Sequence, residues 1–206
     1  MALRRIYSKS RNAVTVTLYD GLADRLSRPS DIQEYLPFLY EQAHSRPGCC
    51  IVELGTRNGN STLAFLAGVA ESGGTVWSVD VDNIILNDDG MWRWQNARNW
   101  RFIHGSDMDE GVQAMLPEKI DILFIDTSHE YEHTLAELRT YIPRLTPDGI
   151  ALLHDTKVIV EHWLPGAPRR DVPPVRQAID AYCSETGLTW EDLDGRYGLG
   201  VIHGGQ

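Results

Sequence analysis

The sequence predicts an α/β fold: a doubly wound, mostly parallel seven-stranded sheet with helices on both faces, closed by an antiparallel C-terminal hairpin. Three observations predict it. Short continuous apolar runs, Ile51–Leu54, Ile122–Ile125 and Ile150–Leu153, suit strands buried on both faces of a parallel sheet. Between such runs, apolar residues recur at three- and four-residue steps, the spacing of crossover helices that bury one stripe. The chain then ends in two short runs, Leu188–Leu193 and Tyr197–Ile202, around the turn Asp194-Gly195-Arg196.

Taken in order, residues 1 to about 18 read as extended or loose, with Arg4, Arg5, Lys9 and Arg11 as a solvated terminal cluster. Ile32, Leu36, Leu39, Tyr40 and Ala43 give helical spacing from Ser30 to His44; Ser30-Asp31 starts that helix and Pro47-Gly48 stops it. The first strand runs into Gly55 and Gly59, a helix follows from Ser61 to about Ala70, and Thr75–Asp80 is the second strand. Residues 83–99 place Trp92 and Trp94 among turn residues, and read either as a structural cap or as a wall of a substrate pocket. Arg101–Gly105 is a third strand with Ser106-Asp107 at its end. After the fourth strand, Ile122–Ile125, the residues Leu135, Leu138, Ile142 and Leu145 mark a helix that Pro147-Asp148-Gly149 ends and turns into the fifth strand. Residues 157–174 form no regular element and read as a substrate lid or a passive surface loop. Pro174 opens a last helix, to Ser184.

Bulk properties narrow the class. At 206 residues the chain is expected to be a single domain, with 1–45 an N-terminal extension and helix and 46–206 the sheet-bearing core. Its hydrophobic and charged fractions, 42% and 23%, are those of an ordinary globular protein. A net charge of −10 argues against nucleic acid or an anionic membrane as partner. No apolar run approaches the roughly 18 residues of a membrane span. Cys49, Cys50 and Cys183 form neither a disulfide framework nor a zinc-type pair, which suits a reducing, cytoplasmic setting.

The strands end in polar residues, and in an open parallel sheet those ends lie side by side over one crevice. Gly55 and Gly59 let the chain turn sharply between the first strand and the positive end of the next helix. Asp80, 21 positions after Gly59, stands where a ribose-binding carboxylate belongs. Arg57 takes the place of the central glycine of G-x-G-x-x-G, so the loop suits a ligand without a pyrophosphate.

As Glu53-x-Gly55-x-x-x-Gly59-x-Ser61, this loop resembles the first motif of the class I S-adenosylmethionine-dependent methyltransferases, in particular their small-molecule O-methyltransferase branch. A second block strengthens the likeness. Ile125-Asp126-x-Ser128-His129-x-Tyr131, a helix, Pro143-x-Leu145-x-x-x-Gly149 and Leu152-Leu153-His154-Asp155 resemble a subfamily acting on sugars and natural products, also labelled cephalosporin hydroxylase. The resemblance spans about residues 50 to 156. It implies a Rossmann-like domain, S-adenosylmethionine as cofactor, and methylation of a small-molecule hydroxyl in natural-product biosynthesis. The implied cofactor set is Glu53, Gly55, Thr56, Arg57, Asn58, Gly59, Ser61, Asp80, Asp107 and Asp126. Within it Asp80 takes the ribose, the Gly55–Gly59 backbone the amino-acid portion, Ser61 its carboxylate and Asp107 the adenine; Glu53 alternatively only ties down the loop.

Methyl transfer to a hydroxyl needs the two reactants held in line and a base or metal ion to take the proton. In the catechol-type branch an acid on the fourth strand, an acid on the fifth and the following amide hold Mg²⁺; the resemblance puts Asp126, Asp155 and Thr156 there, Thr156 being a weaker ligand than the amide. The metal-free route uses His129 as general base, at an ordinary pKa near ~6.5, oriented by Asp126 or Asp155. His154 is a third candidate expected to point away from Asp155, and Glu132 and His133 read as solvated helix residues. Two other readings remain: a nicotinamide-dependent oxidoreductase, disfavoured by the loop, by the lack of a Tyr-x-x-x-Lys pair and by the terminal hairpin, and a catalytically silent S-adenosylmethionine-binding module. A small-molecule acceptor is the expected partner, with room for a homo-oligomer.

Overall fold

The computed structural model describes residues 13–83, 98–159 and 171–205. Trp92, Trp94 and the basic cluster at 4–11 lie outside the described residues, as does most of the expected lid, 160–170.

Seven strands form one sheet: β1 (Cys50–Leu54), β2 (Thr75–Asp80), β3 (Trp100–His104), β4 (Ile120–Ile125), β5 (Leu145–His154), β6 (Trp190–Leu193) and β7 (Leu199–His203), in the order β3-β2-β1-β4-β5-β7-β6. The first five are parallel, and β7 is antiparallel to both β5 and β6. This is the expected sheet with its expected hairpin. The strands carry Ile, Val, Leu and Phe almost without interruption because helices cover both faces. On one face pack α1 (Ala13–Ser27), α2 (Leu36–His44) and α3 (Asn60–Ser72); on the other, α4 (Glu110–Met115), α5 (Tyr131–Tyr141) and α6 (Pro174–Thr186). From Ser61 to Val69 every residue of α3 is buried, since sheet, α1 and α2 enclose it. At Gly68 a Cβ would collide with Ala43 and the Tyr40 carbonyl, so this glycine sets how closely α3 lies on α2.

Several elements differ from the sequence reading. Residues 13–18 are helical, as the first part of α1, not loose; Leu18, Tyr19 and Leu22 join the core and hold the helix there. The helix read from Ser30 begins as a 3₁₀ turn at Gln33–Tyr35 and becomes α-helical at Leu36. α4 was not expected; its signal is Asp109, whose side chain caps Gly111 and Val112. Pro147-Asp148-Gly149 does not precede the fifth strand but lies within it, where the pairing slips between Ile120↔Leu145 and Ile122↔Ile150. A proline there costs no ladder bond, because it stands at an irregularity.

Candidate active site

The carboxyl ends of β1, β2, β4 and β5 open onto a crevice with two chambers. The first, about 330 Å³, is lined by Gly55, Arg57, Asp80, Gly105, Asp107, Asp126 and His133, among others. The second, about 430 Å³, is lined by Asp31, Arg57, Asp126, His129, Asp155, Val158 and Tyr197, among others. Arg57, Asp126, Thr127 and Ser128 border both. Among the described residues the non-glycine positions with positive φ are Arg57 (47°), His129 (57°) and Asp155 (65°), and all three line the second chamber. Left-handed backbone at such residues costs about 1–2 kcal/mol each and persists where surrounding structure imposes it.

The β1–α3 loop is built around two acids. Gly55 (φ 84°) approaches the β4 end so closely that a Cβ would overlap the Asp126 carbonyl. Asp80 Oδ2 accepts the backbone N–H groups of Thr56 and Arg57 at 2.8 and 2.7 Å, and its Oδ1 accepts that of Asp82. Oδ2 thereby uses both of its lone pairs on the loop, and Oδ1 keeps one for a ligand hydroxyl. Glu53 is fully buried, and accepts the hydroxyls of Ser61 (2.6 Å), Thr62 (2.7 Å) and Ser78 (2.6 Å). Burial raises its pKa to about 7, only partly offset by those hydroxyls. Glu53 and Ser61, expected to reach the cofactor, therefore face each other in the interior, and the Ser61 hydroxyl is committed to Glu53. Thr56 is buried with its N–H on Asp80, Asn58 is exposed, and Gly59 (φ 70°) caps α3; none of the three lines a chamber. Arg57 turns its guanidinium outward to Asp31, 2.8 Å away.

At the β4 and β5 ends four ionisable side chains meet. His129 Nε2 lies 3.1 Å from Asp126 Oδ1 and 3.0 Å from Asp155 Oδ2. His154 Nδ1 lies 3.4 and 3.3 Å from the same two oxygens. Burial would lower both imidazoles, but contact with the two carboxylates wins, holding His129 at about 9 and His154 at about 10. For Asp126 and Asp155 the same contacts overcome burial and keep both acids well below the ordinary carboxylate range. His129 is thus no ordinary imidazole near 6.5: the two carboxylates favour its protonated form. His154 does not point away from Asp155. Strand alternation ends at His154, and the left-handed backbone of Asp155 swings its carboxylate back beside the preceding imidazole.

Mg²⁺ is tested by its ligands. The Thr156 hydroxyl is fully buried and donates to Asp192 Oδ1 at 2.8 Å, so it is not available as the third ligand. The group that lies with Asp126 and Asp155 is instead His154, a nitrogen donor. Mg²⁺ selects oxygen ligands. The donor set does not fit it.

His133 and Glu137, on α5, were missed. His133 is not solvated: its Nε2 lies 3.1 Å from Asp107 Oδ2 and 3.5 Å from Glu137 Oε1. Their signal was the four-residue spacing, which stacks both on one helix face; nothing local placed Asp107 opposite.

This strand order, with its antiparallel insertion and its crevice over the strand ends, is the fold of the class I S-adenosylmethionine-dependent methyltransferases. A family model described as a methyltransferase domain matches residues 52–156, half of the chain, and the chain belongs to that family. A curated relative, the uncharacterized protein y4gI of Sinorhizobium fredii, is 27% identical over 119 residues; the match covers 52% of this chain but only 13% of that protein. Among solved structures, the O-methyltransferase TomG of Streptomyces achromogenes, in complex with S-adenosylmethionine and involved in tomaymycin synthesis, superposes with a TM-score of 0.65 at 12% identity, covering 100% of this chain and 95% of that one. The O-methyltransferase of Bacillus cereus, in complex with S-adenosylhomocysteine, superposes at 0.63 and 15% identity, covering 98% and 95%. No described helix is long and apolar enough to cross a membrane.

Proposed function

We propose that the protein transfers a methyl group from S-adenosylmethionine to a hydroxyl of a small molecule, residues 1–206 forming one catalytic domain. The observation that carries this reading is the position of Asp126, on the border of the two chambers and in contact with both histidines. The first chamber takes the cofactor and the second the acceptor. Asp80 takes the ribose, the Gly55 backbone, which lines the first chamber, meets the amino-acid portion, and Asp107 accepts the adenine amine. The bound cofactor supplies an electrophilic methyl group on a positively charged sulfur.

The chain's own residues orient the acceptor and manage one proton. Asp126 and Asp155 both hold the ring of His129 at Nε2, which leaves Nδ1 for the acceptor. Beside a positively charged ligand the imidazolium of His129 is disfavoured, its pKa falls from about 9, and its freed nitrogen takes the proton from the acceptor hydroxyl. The acceptor oxygen then forms its bond to the methyl carbon as the carbon–sulfur bond breaks, leaving a neutral thioether. The hydroxyl proton stays on His129, so the positive charge lost from sulfur reappears on the cluster.

The test is thermal unfolding with S-adenosylhomocysteine, with NAD⁺ and without ligand, followed by turnover of S-adenosylmethionine against neutral polyhydroxylated compounds. At a hundredfold excess over Kd a true ligand adds about 2.7 kcal/mol and raises the midpoint by several degrees. A shift with S-adenosylhomocysteine and transfer to an oxygen are expected. A shift with NAD⁺ alone would overturn the reading in favour of an oxidoreductase. Cofactor binding without turnover on any hydroxyl compound would leave a silent binding module.

A further inference from the structure

We infer that His133, backed by Glu137, is a positioning residue that makes the adenine end of the crevice selective for a 6-aminopurine over a 6-oxopurine; this rests on the first chamber being the cofactor's. Asp107 and His133 both line that chamber. The Asp107 main chain is fixed independently, its carbonyl accepting the Tyr141 hydroxyl and the Gln113 amide. Its carboxylate is set by His133, whose Nε2 touches both it and Glu137. Glu137 is fully buried; its Oε1 accepts the Thr127 hydroxyl at 2.8 Å, while Oε2 is enclosed with no hydrogen-bond partner among the described residues. A buried carboxylate with an unmatched oxygen serves α5 poorly by itself; beside an imidazole it anchors a cation.

The selectivity follows from what a carboxyl group can do. The 6-amino group of adenine donates hydrogen bonds, whereas a 6-oxo group accepts them. An ionised carboxylate only accepts, but a protonated acid can also donate and would tolerate either base. Two buried acids whose oxygens lie within 4.8 Å of each other cannot both stay ionised without a cation, and one takes up a proton. His133 keeps that proton off Asp107: burial raises Glu137 to about 7, whereas at Asp107 contact with the imidazole outweighs burial and lowers it. Asp107 is thereby kept an acceptor.

The experiment is calorimetric titration of the full chain with S-adenosylhomocysteine and with its inosine counterpart, which carries oxygen in place of the amine. The wild-type protein is expected to prefer the adenosine compound by about a hundredfold, the scale of one hydrogen bond to a charged group. In His133→Phe the preference is expected to fall below about tenfold, and His133→Lys, which restores a cation, recovers most of it. His133→Gln, polar but uncharged, is expected to behave like the phenylalanine variant and serves if that one does not fold. A purely structural role would weaken both ligands alike, so an unchanged ratio in His133→Phe or His133→Gln overturns the inference. Failure of the wild-type protein to bind S-adenosylhomocysteine would instead remove the cofactor reading on which it rests.

Discussion

Glu53 and Asp126 are both acids at the carboxyl-end portions of neighbouring strands, one in the interior and one in the crevice, and their surroundings drive them in opposite directions. Three neutral hydroxyls hold Glu53 and do not offset its burial, so its pKa rises to about 7. Two imidazoles hold Asp126, and its pKa falls. Full hydrogen bonding and full charge compensation are different conditions. The Glu53 side is built to tie a loop and a helix start to the sheet. The Asp126 side keeps charge at the boundary of two chambers, where a proton has to move.

The strongest way to break this contrast is to neutralise the charged side. Asp126→Asn is expected to lower turnover of S-adenosylmethionine by about 10³-fold, the range of general acid–base assistance, while the chain still folds. Steady-state rates within tenfold of wild type would remove Asp126 from the chemistry. Glu53→Gln tests the neutral side through pH. The folded protein raises Glu53 from 4.5 to about 7, so the native state holds its proton the more tightly. This contribution is complete below about 4.5 and is lost as pH rises through about 7. The melting temperature is therefore expected to fall across that window, and the substitution to flatten part of the fall; an unaltered slope would mean that Glu53 is ionised throughout. Asp80→Ala is a smaller effect, about tenfold weaker binding of S-adenosylhomocysteine by calorimetry, because one acid loses both its loop amides and its place at the ribose. Unchanged affinity would dissociate the loop from the cofactor. Smallest is Arg57→Ala, which breaks a solvent-exposed pair with Asp31 and should change unfolding free energy by less than about 0.5 kcal/mol. A larger loss in denaturant titration would show that this pair fastens the N-terminal region to the loop.

Legibility followed the range of the interactions. Ile51–Leu54, Ile122–Ile125 and Ile150–Leu153 were readable as strands because a buried parallel strand writes its environment into every residue. α1 and α4 were not, since one is held by packing of Leu18, Tyr19 and Leu22 and the other is a short helix announced by a single cap. The acids Asp80, Asp107, Asp126 and Asp155 could be placed at strand ends by counting; the side chains that Glu53, Ser61 and Thr156 actually touch could not.

By itself the sequence determined the sheet, its helical covers, the closing hairpin and the four crevice acids, because local periodicity and turn chemistry act over a few residues. The tertiary structure decided which groups share a proton or a charge. Glu53 meets Ser78 across 25 positions, and His133 meets Asp107 across 26. His129 and Asp155 turn toward each other through positive φ angles that no glycine announces. Ionisation depends on distances of a few ångströms between residues far apart in the chain, and those distances exist only once β1, β2, β4 and β5 lie side by side.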